Sequence, residues 1–361
     1  MAKRTPLYEI HKSLGATFQE YGEWELPEKF IGVTEEYQAV RNQVGVIDLS
    51  FRGKLQLSGP DRAQFLHGMV TQDIQGLGEG AGAYAAMLTP KGHILADMNV
   101  YNLGDGLLLE VEPELKDKVA KILDKYLFVN ATLTDVTEAY GLLSLQGPKS
   151  DVLLNALVDE PVTSVEELKH VRRHLAGVEL SVIQTRETGE IGFKLLIPQD
   201  PLQTIWEALM EQEWADLKPV GMAAWDILRV EAGIPRYGRD MDENNLPLEA
   251  GIEARAISYT KGCYVGQEVV ARMKYRGQAN RLLMGLKFQG GTVVPQKGDK
   301  IRKEDQEVGW ITSAVFSPGF KSPLAMGYIH RTFTEPGTSV VVESRQGPLA
   351  GEVVPLPFYK R

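Results

Sequence analysis

The chain has 361 residues, with 39 Lys and Arg against 48 Asp and Glu, a formal net charge of −9, 43% hydrophobic residues and a single cysteine. That length suits two or three domains of roughly 100–200 residues each, with enough apolar material for a sizeable core. The acidic balance argues against a protein whose main work is neutralising a nucleic-acid backbone. One cysteine excludes an internal disulfide and suits a reducing compartment, and six histidines leave little material for a metal site. The N-terminal MAKRTPLYEIHKSLG lacks a signal-peptide core, and no run approaches the roughly 18 apolar residues of a membrane span. The expectation is a cytoplasmic protein with no membrane and no nucleic-acid partner.

From Gly53 onward strands and helices mix. Lys54-Leu55-Gln56-Leu57 alternates as a strand does, and Ser58-Gly59-Pro60-Asp61 opens a helix, its proline near the first turn and its acid favouring the dipole. Tyr84–Leu88, Ile94–Tyr101, Gly106–Val111 and Gly141–Leu145 read as strands. Leu115, Val119, Ile122, Leu123 and Tyr126 recur at helical spacing. Two helices on an antiparallel sheet, an α+β layer, account for this order. Further on, Asp200-Pro201 caps a helix with Leu202, Ile205, Trp206 and Leu209 on its apolar face. Gly221–Ala232 is another helix, stopped by Gly233. After about Asn280 the texture changes to short alternating runs, Leu282–Phe288, Val308–Ala314 and Ser339–Glu343, separated by glycine and proline. These read as a small all-β barrel or sandwich. The domains expected are therefore 1–280 and 281–361.

Several residues have side chains suited to chemistry. In Ile94–Tyr101, period two places Ile94, Ala96, Met98 and Val100 on one face and Leu95, Asp97, Asn99 and Tyr101 on the other. Asp97 either faces solvent or is a partly buried acid that moves a proton. In Thr188-Gly189-Glu190-Ile191-Gly192 two glycines flank a carboxylate. The segment is a hairpin turn, or a place where a ligand approaches Glu190; a carboxylate suits the adjacent N–H donors of a pterin ring. Asp226 and Arg229, three apart on a helix, can pair at the surface, or Arg229 can serve a ligand's anionic tail or orient Glu190.

The densest segment is Lys261-Gly262-Cys263-Tyr264-Val265-Gly266-Gln267-Glu268, followed by Ala271-Arg272-Met273-Lys274-Tyr275-Arg276-Gly277. A neighbouring cation and a helix N-terminus would favour thiolate at Cys263, whereas a lone free cysteine also serves as a small apolar residue. Arg272, Lys274, Arg276 and Arg281 make a basic cluster that suits an anionic group or a solvated face. His170 and His174 lie four apart in a segment that reads as helical, and with no third ligand in view no metal site is expected. No phosphate-cradling glycine loop occurs between a strand and a helix.

Taken in order, Thr5-Pro6-Leu7-Tyr8-Glu9, Ala39-Val40-Arg41, Gln146-Gly147-Pro148, Thr188-Gly189-Glu190, Leu228-Arg229-Val230-Glu231-Ala232-Gly233 and Asp240-Met241-Asp242-Glu243 resemble the folate-binding superfamily of the glycine cleavage T-protein, an aminomethyltransferase. The resemblance covers nearly the whole chain. It implies a three-domain α+β folate-binding fold with a C-terminal β-barrel, and tetrahydrofolate as the bound group. Asp97 falls where that family has its catalytic aspartate; Glu190 would hold the pterin, and Tyr84 and Arg229 would line the folate pocket.

KGCYVGQE followed by ARMKYRGQ instead resembles the YgfZ-type members of the superfamily, which help assemble or repair iron–sulfur enzymes. That implies a tetrahydrofolate-binding accessory protein in which Cys263 carries redox or transfer chemistry and the partners are iron–sulfur client or assembly proteins. The alternative is a folate-dependent aminomethyltransferase served by a lipoyl carrier protein. The cysteine motif, the least degenerate of these signals, favours the accessory role.

Overall fold

A computed structural model describes residues 2–163, 166–212 and 216–361, the side chain of Arg276 excepted. The chain divides into two compact units. The first comprises Met1–His67, Asp73–Ala85 and Met98–Trp225, and the second Gly68–Gln72, Ala86–Asp97 and Asp226–Arg361.

Among the described residues, the first unit holds a six-stranded sheet in the order His170–Leu175, Val178–Thr185, Gly192–Pro198, Tyr140–Gln146, Val44–Asp48, Leu217–Pro219. Its central strands are buried on both faces, which explains their near-continuous apolar runs. Val46, Leu143, Leu145, Leu195 and Ile197 meet Leu202, Ile205, Trp206 and Leu209 of the helix Leu202–Met210. Those four helical residues recur at the spacing that aligns one face, as the sequence requires.

A five-stranded sheet runs in the order Gly82–Leu88, Ile94–Asn102, Gly106–Val111, Gly53–Ser58, Thr132–Asp135. The unit division passes within its first two strands. Ile94, Ala96, Met98 and Val100 are buried, as the alternation predicts, while Leu95, Asp97 and Asn99 are half-buried. The helix expected around Leu115–Tyr126 is Lys116–Tyr126, preceded by one 3₁₀ turn at Pro113–Leu115.

His170 and His174 correct the helical expectation. They lie on the strand His170–Leu175, an edge of the six-stranded sheet. His170 is buried, whereas His174 is exposed and pairs with Asp159 at 3.1 Å. No group of three metal-ligating side chains occurs among the described residues.

In the second unit, strands from Arg281 to Val354 close into a six-stranded barrel. Leu286, Ile301, Ile311, Ala325, Ile329, Val342 and Val353 fill it. Closure removes the sheet edges that a small open sheet leaves unpaired. The barrel strands also approach closely at Gly309, where an added Cβ would lie 1.9 Å from the Tyr328 carbonyl oxygen. Gly309→Ala therefore forces the pair Gln306–Ser317 and Ser322–His330 apart. The expected cost is about 1–3 kcal/mol, measurable as a lower urea midpoint; an unchanged midpoint would contradict this account of the pairing.

Candidate active site

In the first unit, the strands Val178–Thr185 and Gly192–Pro198 pair antiparallel, and the connection between them carries Glu187 and Glu190. Gly189 takes φ +81°, a conformation glycine adopts without a Cβ penalty. Glu190 is fully buried. Arg41, on the helix Val33–Asn42, donates through Nη1 to Glu190 Oε1 at 3.1 Å and to the Thr188 carbonyl at 2.7 Å. The Thr188 hydroxyl donates to Gln146 Oε1 at 2.9 Å, and the Gln146 amide donates to Ser144 at 2.9 Å. The turn is thus tied to a helix and a strand by buried polar contacts.

Beside it lies a charged network that the residue patterns did not single out. Lys194 Nζ donates to Glu110 Oε1 and Oε2 at 2.7 and 3.0 Å and pairs with Glu187 Oε1 at 2.5 Å. Arg52 Nε lies 2.8 Å from Glu110 Oε1, and its Nη1 lies 3.1 Å from Glu112 Oε1. Tyr101 donates to Glu110 Oε2 at 2.9 Å, and Asn99, opposite Glu110 in the strand register, donates to the same oxygen at 3.4 Å. Burial works to raise the Glu110 pKa, but Lys194 and Arg52 overcome it and hold the carboxyl at about 2. Burial, reinforced by Glu110, pushes the Tyr101 phenol well above its ordinary range. Lys54, buried and donating to the carbonyls of Ser50, Arg52 and Thr137, is lowered to about 8 by desolvation.

The sequence signal for this network is a single charge inside an otherwise apolar strand. Glu110 sits in Gly106–Val111, buried throughout, and Lys194 in Gly192–Pro198, buried up to its last residue. Such a charge needs an opposite partner brought to it by the fold.

Tyr84 is half-buried on the strand Gly82–Leu88. A separate cleft of about 800 Å³, lined among others by Trp24, Phe51, Pro113, Lys116 and Asp135, includes none of the candidate residues.

In the second unit, Asp97 is half-buried, and the Ile94 N–H at the head of its strand donates to the Asn245 carbonyl at 3.0 Å. Arg229, expected to line the folate pocket, lies on the helix Met222–Glu231. Its guanidinium is buried and engaged on every side: by Asp226 Oδ1 at 2.7 Å, by Asp240, by Ser313 Oγ at 2.7 Å and by the Ile234 carbonyl at 3.3 Å. Desolvation opposes its charge, yet the two carboxylates raise its pKa above the ordinary arginine value. Arg229 therefore ties the helix Met222–Glu231 to the barrel strand Gln306–Ser317.

Cys263 is exposed on a loop fixed elsewhere. Lys261 Nζ donates to the carbonyls of Val70 and Gln72 at 2.7 and 2.9 Å, and the Val265 N–H donates to Gly68 at 3.4 Å. Gly266, at φ +86°, precedes the helix Gln267–Arg276. An added Cβ there would lie 2.7 Å from the Thr89 carbonyl oxygen. The Lys261 ammonium is thus committed to backbone carbonyls.

The model of the GCVT N-terminal domain matches residues 7–261, and that of the glycine cleavage T-protein C-terminal barrel domain matches residues 281–360. The chain belongs to the glycine cleavage T-protein family. An aminomethyltransferase of Desulforamulus reducens is 34% identical over 361 residues, covering 99% of this chain and 98% of that protein. One from Halothermothrix orenii is 34% identical over 358 residues, covering 99% of each. The crystal structure of glycine cleavage system aminomethyltransferase T from Bartonella henselae superposes with a TM-score of 0.91 at 26% identity, covering 100% of this chain and 99% of that one. The mixed α+β fold ending in a closed barrel is thus that of the T-protein family.

The network predicts its own acid sensitivity. Glu110 is held near 2, below the ordinary 4.5, so its stabilisation is fully present above pH 4.5 and lost as pH falls toward 2. Glu110→Gln leaves Lys194 and Arg52 without their shared partner and is expected to cost about 3–5 kcal/mol at pH 7. The gap between wild type and variant should narrow as unfolding is followed from pH 4.5 downward. A gap independent of pH would mean that Glu110 is not the linked group.

Proposed function

We propose that this chain is a folate-dependent aminomethyltransferase that moves a one-carbon unit from an aminomethylated lipoyl carrier protein to tetrahydrofolate. The observation that carries this reading is likeness over almost the entire length to proteins named aminomethyltransferase, both in sequence and in fold. It reverses the preference drawn from the cysteine motif alone, because a family match spanning both domains outweighs one loop.

Tetrahydrofolate supplies the nitrogen that receives the one-carbon unit. Asp97 is the group proposed to assist proton movement at that nitrogen: it is half-buried, on a strand whose opposite face is locked into the core. Partial burial limits competition from water for its carboxylate while leaving it within reach of a bound molecule. Tyr84 is proposed to line the folate pocket. Arg229 and Glu190 act by holding elements in place through their buried ion pairs.

The test is turnover of an aminomethylated lipoyl carrier with and without tetrahydrofolate. Asp97→Asn should lower kcat by about 10²–10⁴-fold with the melting temperature preserved. Undiminished turnover by that variant, or a wild type indifferent to folate, would remove the proposal.

The second reading is the accessory role in iron–sulfur assembly or repair, and the exposed thiol of Cys263 on a well-fixed loop favours it. One cysteine cannot by itself supply a four-thiolate cluster site, so any such role would be contact with a client protein. Under this reading Cys263→Ala abolishes activity of iron–sulfur enzymes in cells while tetrahydrofolate affinity stays within about twofold. Normal iron–sulfur enzyme activity in that strain would eliminate it.

A further inference from the structure

We propose that the cleft of about 800 Å³ in the first unit is a ligand site in its own right, and that it takes a small organic ammonium ion with an apolar body. The proposal stands independently of the folate reading. Every residue lining the cleft belongs to the first unit, so one compact body shapes it. Its volume falls within the range of roughly 300–1,000 Å³ that small-molecule sites occupy.

One wall is aromatic. Trp24 is half-buried at the start of the strand Trp24–Lys29, and its ring is backed at 6.4 Å by the buried ring of Phe51. Phe51 is supported in turn by Tyr21 at 6.1 Å, so the platform is held from behind. Pro6 and Pro113 add apolar surface to the lining. The face of an indole attracts a cation that comes within about 6 Å of it. Among the described residues no cationic side chain covers Trp24; Arg4, also in the lining, lies over Tyr8 instead, at 4.0 Å. A carboxylate reaches the same hairpin. A Cβ built on Gly22, two residues before Trp24, would lie 3.0 Å from Glu114 Oε1.

The charges select the sign of the ligand. Each cation of the lining already has its carboxylate: Lys3 pairs with Glu23 at 2.7 Å, Arg4 with Glu25 at 2.8 Å, and Lys116 with Asp135 and, at 3.3 Å, with Asp117. Lys54 is fully buried, and its ammonium donates to the carbonyls of Ser50, Arg52 and Thr137. The positive end of the helix Lys116–Tyr126 is met by Asp117 in its first turn. An incoming anion would therefore have to displace a carboxylate already in place. Glu114 and Glu138, both exposed in the lining, have no cation beside them among the described residues. An ammonium group gains two carboxylates and an open indole face, while its apolar body lies along the proline and aromatic surface.

The experiment is NMR titration of the ¹⁵N-labelled full chain with three probes that share one body and differ in charge: 2-phenylethylammonium, 2-phenylethanol and 3-phenylpropionate. The chain has five tryptophans, and the Trp24 indole N–H signal is identified by its loss in Trp24→Phe. The ammonium is expected to shift that signal saturably, with affinity about tenfold above the alcohol and higher still above the carboxylate. Glu114→Gln combined with Glu138→Gln should weaken the ammonium by about 5–10-fold and leave the alcohol within about twofold. Both side chains are exposed, and the other four indole signals report that the variant is folded. Equal affinity for the three probes, tighter binding of the carboxylate, or an ammonium affinity unchanged in the double variant overturns the charge assignment. A Trp24 signal that none of the three probes shifts saturably overturns the site itself.

Discussion

Glu110 and Lys194 are both closed off from solvent, 84 residues apart in sequence and 2.7 Å apart in space. Neither can carry its charge in the interior alone, because the desolvation cost of an isolated buried ion exceeds what a domain's stability can absorb. The folded first unit must therefore bring Gly106–Val111 to Gly192–Pro198 within a narrow tolerance, and must bring Arg52 as well. Two strands from two different sheets are fixed by this single requirement. Apolar residues of matching volume could hold them more firmly in free-energy terms, but without the same directional demand.

The same logic recurs in the second unit. Arg229 is surrounded by Asp226, Asp240 and Ser313, drawn from one helix, the segment after it and a barrel strand. Burial there makes the ion pairs of Arg229 a fastener between these elements. Glu190 and Arg41 repeat the pattern at the turn of the first unit. Arg229 and Glu190, whose chemistry attracts attention in the sequence, are thus engaged in buried ion pairs. The half-buried or exposed ones, Asp97, Tyr84 and Cys263, retain side chains that can meet another molecule.

Much of the fold is legible in the amino-acid order because it follows local rules. The alternation from Ile94 to Val100 fixes which side of that strand is core, and Asp200-Pro201 with Leu202, Ile205, Trp206 and Leu209 fixes a helix and its buried face. The texture change near residue 280 anticipates the strand that opens the barrel at Arg281. What is not legible depends on contacts remote in sequence. The i,i+3 pairing of Asp226 with Arg229 is visible locally, but Asp240 and Ser313 are not, so the completeness of the Arg229 cage is hidden. His170 and His174 mislead for a different reason: a spacing of four places two residues on one side of a helix and also on one side of a strand. Glu110 and Lys194 each look anomalous alone, and only the fold reveals that each explains the other.

The position of Cys263 has a practical consequence. It is the one thiol in 361 residues, it is exposed, and its loop is held by Lys261, Val265 and Gly266 against neighbouring backbone. The unmodified chain is therefore already a single-site substrate for maleimide fluorophores or nitroxide spin labels, with no background cysteines to remove. A probe attached there sits on a defined backbone rather than a wandering tail, so its spectrum reports on what approaches the KGCYVGQE loop. The same exposure makes air oxidation intermolecular by necessity, and a covalently linked pair of chains is the form to exclude before any assembly state is assigned in solution.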